Sequence, residues 1–181
     1  PVGGPGAGGR MGRELVRAVA GADDMCLAAA TEAAGSAGVG QDAGAMAGLA
    51  PVGVTVTADN AAMVESCGGI IDFSAPATLA ELCPRCAEAR VPLVVGTTGL
   101  EPEQKALLEQ AAASTAVVFA PNLSVGVNLL FRLTAAAARL LGPSFHAELV
   151  AAHHKHKQDP PSGPAARLLE RDEEKKEKEG G

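Results

Sequence analysis

The sequence contains neither tryptophan nor tyrosine, and only four phenylalanines among its 181 residues. An interior packed with aromatic rings is therefore excluded. Val, Leu, Ile and Ala must fill the core, which suits a parallel sheet covered by helices better than an aromatic-rich sandwich. Excess positive charge is also missing: the formal net charge is -6, so no basic face exists to neutralise a phosphate backbone and no nucleic-acid partner is expected. Long apolar runs are lacking, because Arg132 and Arg139 interrupt the most apolar stretch, and no membrane-spanning segment is expected. Nothing resembling a basic and apolar leader opens the chain at Pro1, which reads as a cytoplasmic protein, or a plastid one if the source is a photosynthetic eukaryote. There are four cysteines. Cys83 and Cys86 have CxxC spacing, yet they fall inside a helical pattern with no second CxxC, which favours plain buried thiols over a redox motif.

What is present is 47% apolar residues, enough for one substantial core or for one full domain and part of another. Residues 3–12 read GGPGAGGRMG and lead into a helical mix from Glu14 to Val19. Gly6, Gly9 and Gly12 have GxxGxxG spacing, with Gly8 adding GxG, and such glycines let helix N-terminal N–H groups approach a pyrophosphate. The first strand looks clipped, with only Pro1 and Val2 ahead of the glycines. Residues 26–31 read as a second strand, and Glu32 falls at its carboxyl end, where a dinucleotide fold needs an acceptor for the adenosine ribose hydroxyls. Its bland alternative is a solvated loop acid. Ala33 follows, so no adjacent cation is available for a 2′-phosphate.

Residues 34–50 are Gly/Ala-rich and read as a mobile loop. Strands are expected at 52–57, 69–74, 91–95 and 116–120, and helices from Asp59 to about Cys67, over 76–89 and over 101–113. A long apolar helix over 125–141 stops at Gly142. The βα alternation places Gly6–Gly12, Glu32, Asp72–Ser74, Gly96–Gly99 and Ala120–Ser124 all at carboxyl ends of strands, where a ligand of such a sheet lies. A further strand over 145–152 delivers a cluster of His153, His154, Lys155, His156 and Lys157, followed by the turn Asp159 to Gly163. Imidazoles and a desolvated lysine can donate protons or bind an anion, whereas the bland reading is a solvated basic loop. A short helix is expected from Ala165, running into a Lys/Glu tail.

With these residues laid out, the chain resembles the dihydrodipicolinate reductases of the bacterial lysine and diaminopimelate pathway. The resemblance rests on GAGGRMG at 6–12, IDFSAP at 71–76, VVGTTGL at 94–100 with FAPNLSVGVN at 119–128, and AHHKHKQDPPSG at 152–163. It implies an α/β fold: a Rossmann-type parallel-sheet nucleotide-binding domain over 1–122, then a partial α+β substrate-binding and oligomerisation domain over 123–170 and a charged tail over 171–181. It implies NAD(P)H-dependent reduction of 4-hydroxy-tetrahydrodipicolinate, a small dicarboxylate, and a homotetramer where the substrate domain is complete. Carried over by position, Gly6, Ala7, Gly8, Gly9, Arg10, Met11, Glu32, Gly96, Thr97, Thr98, Ala120, Pro121, Asn122 and Leu123 are contacts of NADH or NADPH. His153 matches the catalytic histidine and Lys157 the proton-donating lysine. His154, Ser162, Gly163 and Pro164 fall on the substrate side.

The family usually has threonine where this chain has Pro164 and an acid where Ala151 stands, and its members continue with further strands beyond this point. Cofactor binding is therefore expected to outlast turnover in this chain. Two other readings stay open from the residues alone. One is a metal site of His153, His154, His156 and Asp159, although HHxH is not a standard zinc spacing. The other is a nucleotide-binding protein without catalysis.

Overall fold

The computed structural model describes residues 1–142, 144 and 145. The chain splits into two compact units, Pro1–Ala120 and Pro121–Gly181.

In the first unit six strands, β1 (Val2–Pro5), β2 (Leu27–Thr31), β3 (Val56–Thr57), β4 (Ile70–Asp72), β5 (Leu93–Val95) and β6 (Val117–Phe119), form one sheet in the order β3-β2-β1-β4-β5-β6. Every pairing is parallel. The connections run outward from β1 to β3, cross back, and run the other way from β4 to β6. Right-handed crossovers then send the two sets of helices to opposite faces. The core divides accordingly. One cluster joins Ile70, Leu93 and Val95 to Met63 of α3 (Asn60–Ser66), Leu82, Cys83 and Cys86 of α4 (Leu79–Ala89), and Leu108 of α5 (Pro102–Ala112). The other joins Ala30 and Val56 to Val16 of α1 (Arg10–Ala20) and Ala43 of α2 (Ala43–Met46). Aliphatic side chains fill both, as the want of aromatics requires. The expected α/β fold of the nucleotide domain is observed.

Several local expectations need correction. The first strand is not clipped: β1 runs through Gly3 and Gly4 to Pro5, and Gly3 is needed there because a Cβ would lie 2.7 Å from Met63 Cγ and 2.8 Å from Cys67 Sγ. Residues 34–50 contain the helix α2, with Ala43, Gly44 and Ala47 buried. Asp42 organises this segment. Its carboxylate accepts from Ala45 N at 3.0 Å, Val52 N at 3.1 Å and Gly53 N at 2.8 Å. That staple turns the chain back so that Ala43 N bonds Val54 O and Val56 N bonds Gln41 O, leaving only Val56–Thr57 of the strand expected over 52–57. The helix expected from Pro76 opens as one 3₁₀ turn, Pro76–Thr78, and Pro84 lies within α4.

Elsewhere the boundaries agree with local chemistry. Asp59 caps α3 by accepting from Ala62 N, and Glu101 with Gln104 forms a capping box at α5. In the second unit Ser124 caps α6 (Val125–Leu141), and Asn128 Nδ2 donates to the carbonyls of Asn122 and Ser124, both at 2.9 Å. Among the described residues no helix is long and apolar enough to cross a membrane. The strand expected over 145–152 lies, past Phe145, outside the described residues, as do the expected helix from Ala165 and the tail.

Candidate nucleotide-binding site

The sheet order reverses between β1 and β4, and a parallel sheet leaves a crevice at such a reversal, outside the carboxyl ends of its strands. The turn from β1 into α1 fills that place. Gly6 has φ +71°, which glycine adopts without strain, and a Cβ on Gly12 would lie 2.0 Å from Gly6 O. Only glycine permits this approach of helix to turn. The N–H groups of the first turn of α1, at Arg10, Met11 and Gly12, have no intrahelical acceptor by helix geometry, and they carry the positive end of the helix dipole. Arg13 Nε holds the turn from outside by donating to Gly8 O at 3.0 Å.

Glu32 stands one residue past β2, partly buried. Its Oε1 accepts from Gly8 N at 2.6 Å and its Oε2 from Ala33 N at 3.2 Å. Each oxygen keeps acceptor capacity, since a carboxylate offers about four lone-pair sites. The turn and the acid therefore form one unit, an array of N–H donors beside a ribose-compatible acceptor.

At the ends of β4 and β5, both expected to border the ligand, the side-chain contacts that join the two turns were not foreseen from sequence. Asp72 is fully buried, yet all its bonding is internal: Oδ1 accepts from Ser74 N at 3.0 Å and from Ser74 Oγ, and Oδ2 accepts from Thr97 Oγ1 at 2.7 Å. Gly96 N donates to Asp72 O at 2.8 Å, and Gly96 has no room for a Cβ, which would lie 2.0 Å from Phe73 Cε1. The two strand ends are thereby locked together. An acid closing an otherwise apolar strand, Ile70-Ile71-Asp72, was the available signal.

A cleft of about 520 Å³ opens between these features. It is lined by Gly6 and Gly9 of the turn, by Thr31, Glu32, Ala33 and Ala34 at the end of β2, by Phe73, Ser74 and Ala75 after β4, and by Asn60, Thr78 and Glu81. The volume suits a small-molecule group. Of the residues expected to touch a cofactor, Gly6, Gly9 and Glu32 share this cleft, and Ala7, Gly8, Arg10 and Met11 belong to the same turn. Thr97 is tied to it through Asp72 and Ser74; Gly96 and Thr98 flank Thr97. Ala120 ends the first unit, with its N–H on Val95 O at 3.1 Å. Pro121, Asn122 and Leu123 open the second unit, where Asn122 Oδ1 accepts from Ser124 N at 2.8 Å. His153, His154, Lys157, Ser162, Gly163 and Pro164 lie outside the described residues, and so do His156 and Asp159 of the alternative metal reading.

Comparison with known proteins adds to this geometry. The family model described as dihydrodipicolinate reductase, N-terminus, matches residues 2–123, and that described as dihydrodipicolinate reductase, C-terminus, matches residues 126–181. A 4-hydroxy-tetrahydrodipicolinate reductase of Anaeromyxobacter sp. (strain Fw109-5) is 48% identical over 165 residues, covering 91% of this chain and 61% of its own length. One from Acinetobacter baumannii (strain ACICU) is 49% identical over 165 residues, covering 91% and 60%. The chain thus spans about 60% of the length of these curated relatives. A solved structure of dipicolinate-bound dihydrodipicolinate reductase from Paenisporosarcina sp. TG-14 superposes with a TM-score of 0.70 at 23% identity, covering 96% of this chain and 65% of that one, and it speaks for the fold alone. The glycine turn and its acid at the reversal of a six-stranded parallel sheet, together with family models that match nearly the whole sequence, show that the chain belongs to the dihydrodipicolinate reductase family.

Proposed function

We propose that this chain carries the nicotinamide-dinucleotide site and the start of the substrate site of a 4-hydroxy-tetrahydrodipicolinate reductase, acting on a small cyclic dicarboxylate. The observation that carries the reading is the bond from Gly8 N to Glu32 Oε1, which sets a donor-rich turn and a ribose acceptor side by side. The residues fit such a cofactor: Gly6, Gly8 and Gly9 present bare backbone, and the close approach of Gly12 to Gly6 sets the start of α1 against that turn, where a pyrophosphate must come near backbone. Gly6 to Met11 would hold the pyrophosphate and Glu32 the adenosine ribose. When bound, the reduced nicotinamide supplies hydride to the substrate's conjugated imine.

The chain's own groups do the rest. His153 and Lys157 are the proposed proton donors, on the strength of the AHHKHKQDPPSG motif, because reduction leaves negative charge that an acid must quench. His154, Ser162 and Gly163 are placed on the substrate's carboxylates, while Pro164 has no N–H to offer there. NADH is the proposed preference over NADPH: Glu32 repels a 2′-phosphate, Ala33 supplies no cation, and the Arg13 Nε already serves Gly8 O. Homotetramer formation through the completed substrate domain and a cytoplasmic or plastid location belong to the same proposal.

Fluorescence titration of the chain with NADH, followed by turnover of freshly generated 4-hydroxy-tetrahydrodipicolinate, tests the reading. NADH is expected to bind, and Lys157→Ala is expected to slow any turnover roughly 10²–10⁴-fold with NADH affinity nearly unchanged. A chain that binds no dinucleotide overturns the proposal.

A further inference from the structure

Besides Glu32 the cleft is lined by polar side chains that no dinucleotide fingerprint includes. Thr31 Oγ1 donates to Asn60 Oδ1 at 2.7 Å, and Asn60 Nδ2 donates to Glu81 Oε2 at 2.8 Å. Arg85 Nε donates to the other oxygen of Glu81 at 3.2 Å. The carboxylate accepts only, so it fixes the orientation of the Asn60 amide: the NH₂ faces Glu81 and the carbonyl faces Thr31. One Asn60 N–H and the remaining lone pairs of Glu81 are left over, and Asn60, Glu81 and Glu32 all line the same cavity.

Resting on the dinucleotide reading above, we infer that Asn60 and Glu81 read the Watson–Crick edge of the cofactor's purine and select adenine. An acceptor on Glu81 matches the exocyclic N6 amine of adenine, and the neighbouring Asn60 N–H matches its N1 acceptor. Hypoxanthine reverses both groups. It sets its O6 lone pairs against the carboxylate and its N1–H against the amide donor, so both base contacts are lost and the pair turns to water instead. Ala33, Ala34 and Ala75 line the same cavity, and their methyl groups offer a ring van der Waals surface.

Nicotinamide hypoxanthine dinucleotide, reduced form, differs from NADH only at this edge, and competitive fluorescence titration of the whole chain against both compounds provides the test. Wild type is expected to favour NADH by about three- to tenfold, the low end for a two-point base contact because Glu81 is nearly half exposed and water can satisfy an unmatched group. Glu81→Gln, whose amide can turn a donor toward O6, and Asn60→Ala are each expected to bring that ratio towards one, with circular dichroism unchanged. NADH binding with no preference in wild type, or a preference untouched in both variants, overturns the inference and leaves the dinucleotide reading in place. Failure to bind either compound overturns both.

Discussion

Gly8 donates its backbone N–H to Glu32 Oε1 at 2.6 Å across 24 residues of sequence, so the acid expected to grip a ribose also anchors the turn expected to grip a pyrophosphate. Removing the carboxylate should then weaken both halves of the site together. Glu32→Ala is expected to lower NADH affinity about ten- to hundredfold, the weight of a charge-assisted hydrogen bond. Glu32→Gln keeps an acceptor for Gly8 but loses the charge, so it should fall less and should narrow the gap between NADH and NADPH. Isothermal titration with both cofactors decides this. Equal affinities in wild type and Glu32→Ala would remove Glu32 from the site.

Asp72 is the second anchor, and its replacement should be costly for a different reason. Three donors, Ser74 N, Ser74 Oγ and Thr97 Oγ1, point at one buried carboxylate. In Asp72→Asn the amide oxygen can keep both Ser74 donors while the NH₂ faces Thr97 Oγ1, which must turn to accept, so the loss is that of charge-assisted bonding in a buried setting, about 1–3 kcal/mol. Combining it with Thr97→Val should cost less than the sum of the single changes, because Thr97→Val removes a charge-assisted bond from wild type but only a neutral one once Asp72 is Asn. Urea unfolding of the four proteins measures the coupling. Strict additivity would show that the two side chains do not depend on each other.

How far the sequence discloses these features depends on the range of the interactions. The GxxGxxG turn, the acid twenty residues beyond Gly12 and the helix start at Asp59 are local patterns, and each is found where its spacing places it. Periodicity misses the segment 34–50, because its order comes from Asp42 reaching residues ten and eleven positions away, at Val52 and Gly53. A Gly/Ala-rich run carries no apolar pattern of its own. The Asp72–Thr97 and Asn60–Glu81 contacts are likewise legible only after the sheet order has brought β4 to β5 and α3 to α4. Strand ends can be named from sequence, but which of their side chains bond one another depends on tertiary packing.

The cysteines give a prediction from burial. Burial pushes Cys83 and Cys86 up to about 11, helped by the charge of Asp72 at the first and by Cys83 at the second, and it raises Cys67 as well. Cys26 alone is exposed. Since the thiolate is the reactive form, a thiol reagent near neutral pH should label Cys26 in the native protein and all four cysteines in denaturant. Rapid native labelling of Cys83 or Cys86, located by mass spectrometry, would contradict the packing of α4. The stability linkage has a definite sign. The folded values lie above the unfolded one, so this contribution is complete below the ordinary thiol range and is lost as pH rises towards about 11.

Acid should act through Asp42. Its carboxyl is held below the ordinary carboxylate range, first by the N–H of Ala45, against an opposing effect of burial that is larger than each of the further contributions from the N–H groups of Val52, Gly53 and Gly44. The folded value lies below the unfolded one, so the unfolded chain takes up the proton more readily. The stabilisation is therefore complete above the ordinary carboxylate range and disappears as pH falls through the folded value. Asp42→Asn keeps the shape but has no charge to lose. The stability difference between wild type and Asp42→Asn should thus be largest near neutral pH and should shrink towards pH 3, a trend that urea unfolding across the range can follow. Amide exchange gives the local view, since Ala45, Val52 and Gly53 donate to the staple itself. Their protection should fall in Asp42→Asn while that of Leu93–Val95, on another part of the sheet, stays as in wild type. A difference in stability that does not vary with pH would mean that the carboxylate acts by its shape and not by its charge.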